Sequence, residues 1–423
     1  MIGALVGVRW RWRRSLPRSI RRLGNCVAIV PTALVLWSCS KELSTHDPLP
    51  TAADEDRAFI ARLGLDTIFV ERFTRRGRDV EGDIINRSPT TTVTHYQFTA
   101  DESGALTRLS ATTRDPNGGP DSRPLWSLRA EGVRGGLDVT MQDGADERRR
   151  FVAGAASALP VFDRSVALYE LATRRLRAAR ADSLVVPVIE LDSIAIGERR
   201  IERLGPDTVV LRLIFPRGER ARVDSAGRIL GISGLTTSYK WMTERVPDVD
   251  IAALTASFAS RDAKGAAFGN FSSRDTVRAS VREAHVTVDY GRPSKRGRVI
   301  FGALVPWEQV WRTGADLATH FTTDRTLRFG DAGAGVVVPP GTYTLYTIPA
   351  PGGWTLIVNR QTGQSGLSYD PTADLGRVPM KVSARPDVTE RLTISVAPST
   401  TGATLRVTWD AIEAHVPITV VSG

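Results

Sequence analysis

The feature that most constrains this chain is a period of two in its C-terminal third. Val286, Val288 and Tyr290 fall on one face of an extended segment, with His285, Thr287 and Asp289 on the other. The alternation returns in Leu392/Ile394/Val396, Leu405/Val407/Trp409 and Val416/Ile418/Val420. Successive side chains of a strand point to opposite faces, so this pattern buries one face and wets the other only as a β-strand. Tyr343/Leu345/Thr347 and Trp354/Leu356/Val358 flank Pro349-Ala-Pro-Gly-Gly353, which predicts a hairpin with a five-residue loop. Short strands with almost no helical pattern predict an antiparallel β-sandwich or jelly-roll-like domain over residues 280–423.

The segment 57–258 reads as a second β-rich domain, a half-open barrel or curved sheet around one helix, so the fold class is mostly β. Strands are expected at 67–73, 91–98, 106–113, 137–141, 185–191, 208–215 and 229–233, punctuated by turn residues such as Arg76-Gly77, Asp143-Gly144 and Ala226-Gly227. Between 163 and 181 the period changes. Val166, Tyr169, Ala172 and Leu176 recur at helical spacing, Asp163 is placed to cap the helix, and arginines fill the other face. Leu63-Gly-Leu-Asp-Thr-Ile68 and Leu204-Gly-Pro-Asp-Thr-Val209 look alike, and are read as one turn-into-strand solution used twice. Residues 259–279, rich in Ser, Gly, Ala and charge, read as an interdomain linker.

The N-terminus reads as an address. Residues 1–38 combine an arginine-rich, acid-free start with the apolar run Val27–Trp37, too short to span a bilayer. Leu36-Trp37-Ser38-Cys39 has the layout of a lipobox: a small residue before the cut, an aliphatic one two places earlier, and a thiol to carry the lipid. Cys39 is therefore the expected lipidation site and the membrane the expected partner, with 39–56 as a polar tether. The expected location is the cell envelope, lipid-anchored and extracytoplasmic, and Ser40 after the cysteine favours the outer membrane. The seven arginines before Cys39 account for most of the formal charge of +10; without them +3 remains. A near-balanced mature chain with no basic stripe argues against nucleic acid as a partner. Cys26 and Cys39 are the two cysteines, so beyond them no disulfide or thiolate metal site can form.

Several motifs after residue 280 carry a resemblance. Tyr290-Gly-Arg-Pro-Ser-Lys-Arg-Gly-Arg298, Val305-Pro-Trp-Glu-Gln-Val-Trp-Arg-Thr-Gly-Ala315, Pro340-Gly-Thr-Tyr-Thr-Leu-Tyr-Thr-Ile-Pro349, Trp354-Thr-Leu-Ile-Val-Asn359 and Asp374-Leu-Gly-Arg-Val378 closely resemble domain-of-unknown-function family 2911. The family implies a bacterial, often exported protein and no chemistry. Asp316-Leu317 replaces the usual Asn-Glu, and Ser365 stands where the family often has Trp.

The candidate ligand-binding residues in these motifs are Arg292, Arg298, Arg312, Asp316, Tyr369, Asp374 and Arg377, with Lys295 and Asn359 beside them. Arginine forks suit an anionic or sugar ligand, but the same residues serve equally well to brace sandwich loops through ion pairs. Trp307, Trp311, Tyr346 and Trp354 are either a stacking platform or core. His285, His320 and His415 are scattered, and no metal and no cofactor is expected; His95 reads as an ordinary strand residue. Three readings follow: a non-enzymatic envelope module binding a glycan, lipid or protein; an extracytoplasmic hydrolase or lyase using the Arg/Asp/Tyr cluster; or a structural module. Whether those arginines, Asp316 and Tyr369 share one open cleft separates them.

Overall fold

The computed structural model of the protein describes residues 53–421, apart from 103, 120, 162–163, 191–193, 216, 238 and 334. The signal segment, Cys39 and residues 40–52 of the tether lie outside the described residues. The described chain is mostly β: two large sheets, neither a closed barrel, and two helices, α1 (Val166–Ala179) and α2 (Ile251–Ala263).

The first sheet has fifteen strands in two meanders. One runs outward from Glu55–Leu63 to the edge strand Asp146–Ala153. The other starts at Leu159–Val161, which lies parallel to Ser183–Glu190 with α1 as the crossover. It returns inward to Met242–Val246, antiparallel to Glu55–Leu63. The two similar hexapeptides both sit at hairpin turns, 63–66 and 203–209. The first strand begins inside the segment read as tether, because Glu55 is drawn inward by Arg75 and Arg245.

The expected apolar positions of α1, Val166, Tyr169, Ala172 and Leu176, are buried. So are Ala167, Leu168 and Leu171, which an exposed surface helix would leave wet. The sheet curves round the helix, and residues from both meanders join it in one core. One expectation lies outside the described residues and another needs correction. Asp163, the expected cap, is not among the described residues; Ser165 holds the N-cap position, and its side chain makes no capping bond. Glu71 on a neighbouring strand does that work, accepting the Ala167 amide at 3.0 Å and the Tyr96 hydroxyl at 2.6 Å. Nor do the arginines of α1 all face outward: Arg174 is buried beside Glu170 and Glu55.

The second helix is a further departure from the sequence reading. Asp250 caps α2 by accepting the Ala253 amide at 2.9 Å, and Phe258 packs on Val70 and Ile85, on the opposite face of the first sheet from α1. The expected linker, 259–279, starts inside this helix and runs into a strand; only 264–271 connects α2 to Ser272–Val281.

The second sheet has nine strands. Gly341–Ile348 and Trp354–Asn359 form the expected hairpin around 349–353. Two strands, Asp374–Ser399 and Gly402–Val420, are far longer than the rest. Their pairing shifts register between Ala384 and Thr389 and again before Thr393, and such irregularities bend a ladder. The bent pair serves both layers of a sandwich-like fold, and Tyr290, Phe321, Leu356, Leu405 and Trp409 fill the space between. The lobes built on the two sheets touch where the Leu65 amide donates to the Arg296 carbonyl at 3.0 Å and Arg296 pairs with Asp66.

Candidate functional site

Between Ala284–Pro293 and Thr319–Thr323 the chain makes a long loop, and its backbone is unusual. Glu308, Thr313 and Asp316 all lie in the left-handed region, with φ of 60°, 51° and 61°. A β-branched residue such as Thr313 resists that conformation, and each such residue costs about 1–3 kcal/mol unless its surroundings impose it. Here they do. Trp311 and Thr347 exchange backbone bonds at 2.7 and 2.8 Å, the Thr319 hydroxyl donates to the Thr313 carbonyl at 3.0 Å, and the Thr313 hydroxyl donates to Thr347 Oγ1 at 3.1 Å. Gly291 makes the close approach possible, since a Cβ there would lie 2.0 Å from the Ala315 carbonyl oxygen. The Tyr290-Gly and Thr313-Gly-Ala motifs therefore pack on each other.

A second loop, 363–369, is stitched to the first through the Gly366 amide and the Asp316 carbonyl at 2.9 Å. A Cβ at Gly366 would stand 2.2 Å from Arg312 Cδ, so this glycine keeps the space for the arginine stem.

These loops form one wall of a pocket of ≈ 280 Å³ between the two lobes. The second lobe contributes Ser272, Arg298, Trp311, Arg312, Asp316, Tyr346, Tyr369 and Trp409; the first contributes Arg217, Tyr239 and Lys240, with Phe271 from the connection. Trp311 stacks on Trp409 at 5.9 Å, and Tyr346 meets Tyr369 edge-on at 4.9 Å. Four cationic side chains thus face one carboxylate.

Their partners matter. Arg217 reaches the Leu367 carbonyl at 3.5 Å, Lys240 the Leu235 carbonyl at 2.5 Å, and Arg312 the Gly314 carbonyl at 3.3 Å. Arg298 donates to the carbonyls of Lys295 and Ser294 at 3.0 and 2.5 Å. Main-chain carbonyls hold these groups in place without cancelling their charge. Burial, then the positive charges of Arg312 and Arg217, lower the Lys240 pKa. Burial and Arg217 lower that of Arg312, against the opposing pull of Asp316. Asp316 is open to solvent on one side, yet the packed wall behind it raises its pKa despite Arg312. Its carboxylate makes no hydrogen bond with the described residues, and the buried Ser272 hydroxyl likewise has no partner among them.

The sequence candidates divide. Arg298, Arg312, Asp316 and Tyr369 line the pocket. Arg292 does not: its fork is taken by the Leu392 carbonyl, Asp275 and Thr393. Asp374 and Arg377 stand behind Tyr369, whose hydroxyl donates to Asp374 at 2.8 Å and accepts from Arg377 at 2.9 Å, so they hold its ring rather than reach the cavity. Lys295 pairs with Asp410 and Asn359 donates to Asp374, both as loop braces. Trp311 and Tyr346 reach the pocket, while Trp307 stacks on Phe301 and Trp354 is buried. Arg217, Lys240, Tyr239 and Phe271 carry no motif, and sequence reasoning missed them. Among the described residues no three His, Cys, Asp or Glu side chains converge as a metal site.

Fold and site together define a two-lobed β-protein with a cationic, aromatic-walled pocket between the lobes. Residues 272–418, the second lobe, match the model of a family described as "Protein of unknown function (DUF2911)". No curated protein matches the chain. A solved structure of a DUF1089-family protein from Pseudomonas aeruginosa is similar over 40% of this chain and 90% of its own, at 15% identity and a TM-score of 0.29, a likeness too slight to bear on fold or function.

Proposed function

We propose that this protein is a binding module held at the cell envelope through a lipid on Cys39, and that the pocket between its lobes takes an anionic ligand. The N-terminal layout supports the address, and Ser40 favours the outer membrane. One observation carries the binding reading: four cations anchored by neutral carbonyls face a single carboxylate among aromatic walls. Such a site gains from an anion far more than from a neutral or cationic guest. The ligand class includes acidic glycans, lipid headgroups and acidic peptide side chains.

The alternatives have less support. A serine hydrolase needs its nucleophile bonded to a base, and the serine of the pocket, Ser272, has no such partner among the described residues. A lipid inside the first sheet meets a filled core, and the ≈ 130 Å³ cavity there is lined by Arg164 and Glu219 as well as Trp241. Calorimetric titration of the purified full-length protein with benzoate and with benzyl alcohol tests the reading. Benzoate should bind, and more weakly as salt rises. Equal binding of both would overturn it, as would failure of benzoate together with every other anion tried.

A further inference from the structure

Resting on that reading, we infer that the pocket is built for a doubly negative headgroup, a phosphomonoester, on an apolar body, and that the first lobe's Arg217 and Lys240 complete the site. The charges of Arg217, Lys240 and Arg312 act on one another across the lobe boundary. Arg298, the fourth cation of the lining, belongs to a separate group with Arg296, Glu390 and Asp66, two positive charges against two negative. Against the three stands Asp316, which leaves two positive charges uncompensated. A phosphomonoester carries about −1.5 to −2 at neutral pH and presents several acceptor oxygens to arginine and lysine donors. A carboxylate leaves one of those charges unmatched.

The rest of the pocket fits the other half of such a ligand. Trp311, Trp409, Tyr346 and Tyr369 offer ring faces and edges to an apolar or planar body. The Ser272 hydroxyl and the Asp316 carboxylate, without hydrogen-bond partners among the described residues, supply a donor and an acceptor. Two of the three cations belong to the first lobe, outside the matched family segment. The second lobe alone therefore lacks most of the charge, and this pairing of lobes sets the specificity.

Calorimetric titration of the full-length protein with phenyl phosphate, benzoate, inorganic phosphate and dihexanoyl phosphatidic acid tests this. Phenyl phosphate should bind about tenfold or more tighter than benzoate, and inorganic phosphate more weakly than phenyl phosphate. Lys240→Met and Arg217→Met should each weaken phenyl phosphate by about tenfold and benzoate by much less. Phosphatidic acid binding tighter than phenyl phosphate points to a lipid headgroup; the reverse order points to a soluble ester. Equal affinity for phenyl phosphate and benzoate overturns the dianion while leaving an anion site intact. Equal affinity for phenyl phosphate and inorganic phosphate overturns the apolar body. Failure of every anion overturns the binding reading itself.

Discussion

Replacing Glu170 by Gln should be the most damaging single-charge change in the first lobe. Glu170 is fully buried in α1 and accepts from Arg75 at 2.9 Å, Arg245 at 2.6 Å and the Ile229 amide at 2.8 Å, with Arg174 at 3.6 Å. Glu55 is the other carboxylate of the cluster, 2.6 Å from Arg245 and 3.3 Å from Arg75. Gln keeps the shape but turns one acceptor oxygen into an NH2 donor, so the charge and one acceptor disappear together. Three nearly buried guanidinium groups would then share Glu55 alone. Removing one partner of a buried ion pair costs about 3–5 kcal/mol, because the remaining charge cannot return to water. For a lobe of this size that corresponds to a fall in Tm of roughly 10 °C. Urea denaturation followed by tryptophan fluorescence measures it. Glu244→Gln is the control: its pair with Arg62 is exposed on both sides and should change stability by about 0.5 kcal/mol or less. If Glu170→Gln costs no more than that control, the network is not what fixes α1, and the argument from burial fails.

Glu219, buried and accepting from Trp241 Nε1 at 2.9 Å, is pushed by burial from 4.5 to about 7. The folded state therefore holds this proton more tightly than the unfolded state. Its contribution is fully present below about pH 4.5 and is lost as pH rises through 7, by about 3 kcal/mol in all. Glu219→Gln should flatten that slope in denaturation curves taken from pH 5 to 8; an unchanged slope would refute the assignment. Gly366→Ala should push on the Arg312 stem and on the Asp316 carbonyl, weakening phenyl phosphate binding by about tenfold and lowering Tm, read by calorimetry and thermal melting together; unchanged binding would refute the packing argument. Cys39→Ser should abolish incorporation of a labelled fatty acid and release the protein from the membrane fraction, and retained label would remove the lipoprotein proposal.

The fold was legible wherever alternation was written in apolar residues. The hairpin around 349–353 and the strands ending at Trp409 and Val420 could be read directly. Several of the strands that went unread have charged faces. Asp146–Ala153 runs Asp-Glu-Arg-Arg-Arg-Phe-Val-Ala and buries only Val152, so its extended form comes from its ladder with Gly136–Asp143 rather than from composition. Ala195–Arg203 buries only Ile201 and is held between two neighbours in the same way. Helix α2 escaped because Phe258 and Ala259 are its only fully buried residues. Within the site, Arg312 and Asp316 were visible through their motif. Arg217 and Lys240 were not, since a turn arginine and a turn lysine acquire meaning only when another lobe is brought against them.

The two charged clusters of this protein show why charge counting in sequence does not find a site. Around α1, Arg75, Arg174 and Arg245 meet Glu55 and Glu170 at ion-pair distance, shielded from solvent. Opposite charges there pair at close range, three arginines against two carboxylates, and burial keeps the one surplus charge out of a guest's reach. In the pocket the cations end on carbonyl oxygens, which fix orientation and leave the field standing. The first arrangement is a lock, and removing any member exposes the remainder to a low-dielectric interior. The second keeps its charges half-wet and unneutralised, which is tolerable only while water remains and becomes favourable when an anion replaces that water. The same residue types, arginine and a carboxylate, thus serve opposite ends according to whether their partners carry charge. That distinction rests on tertiary contacts, so the pocket, not the more densely charged helix, is where binding should be sought.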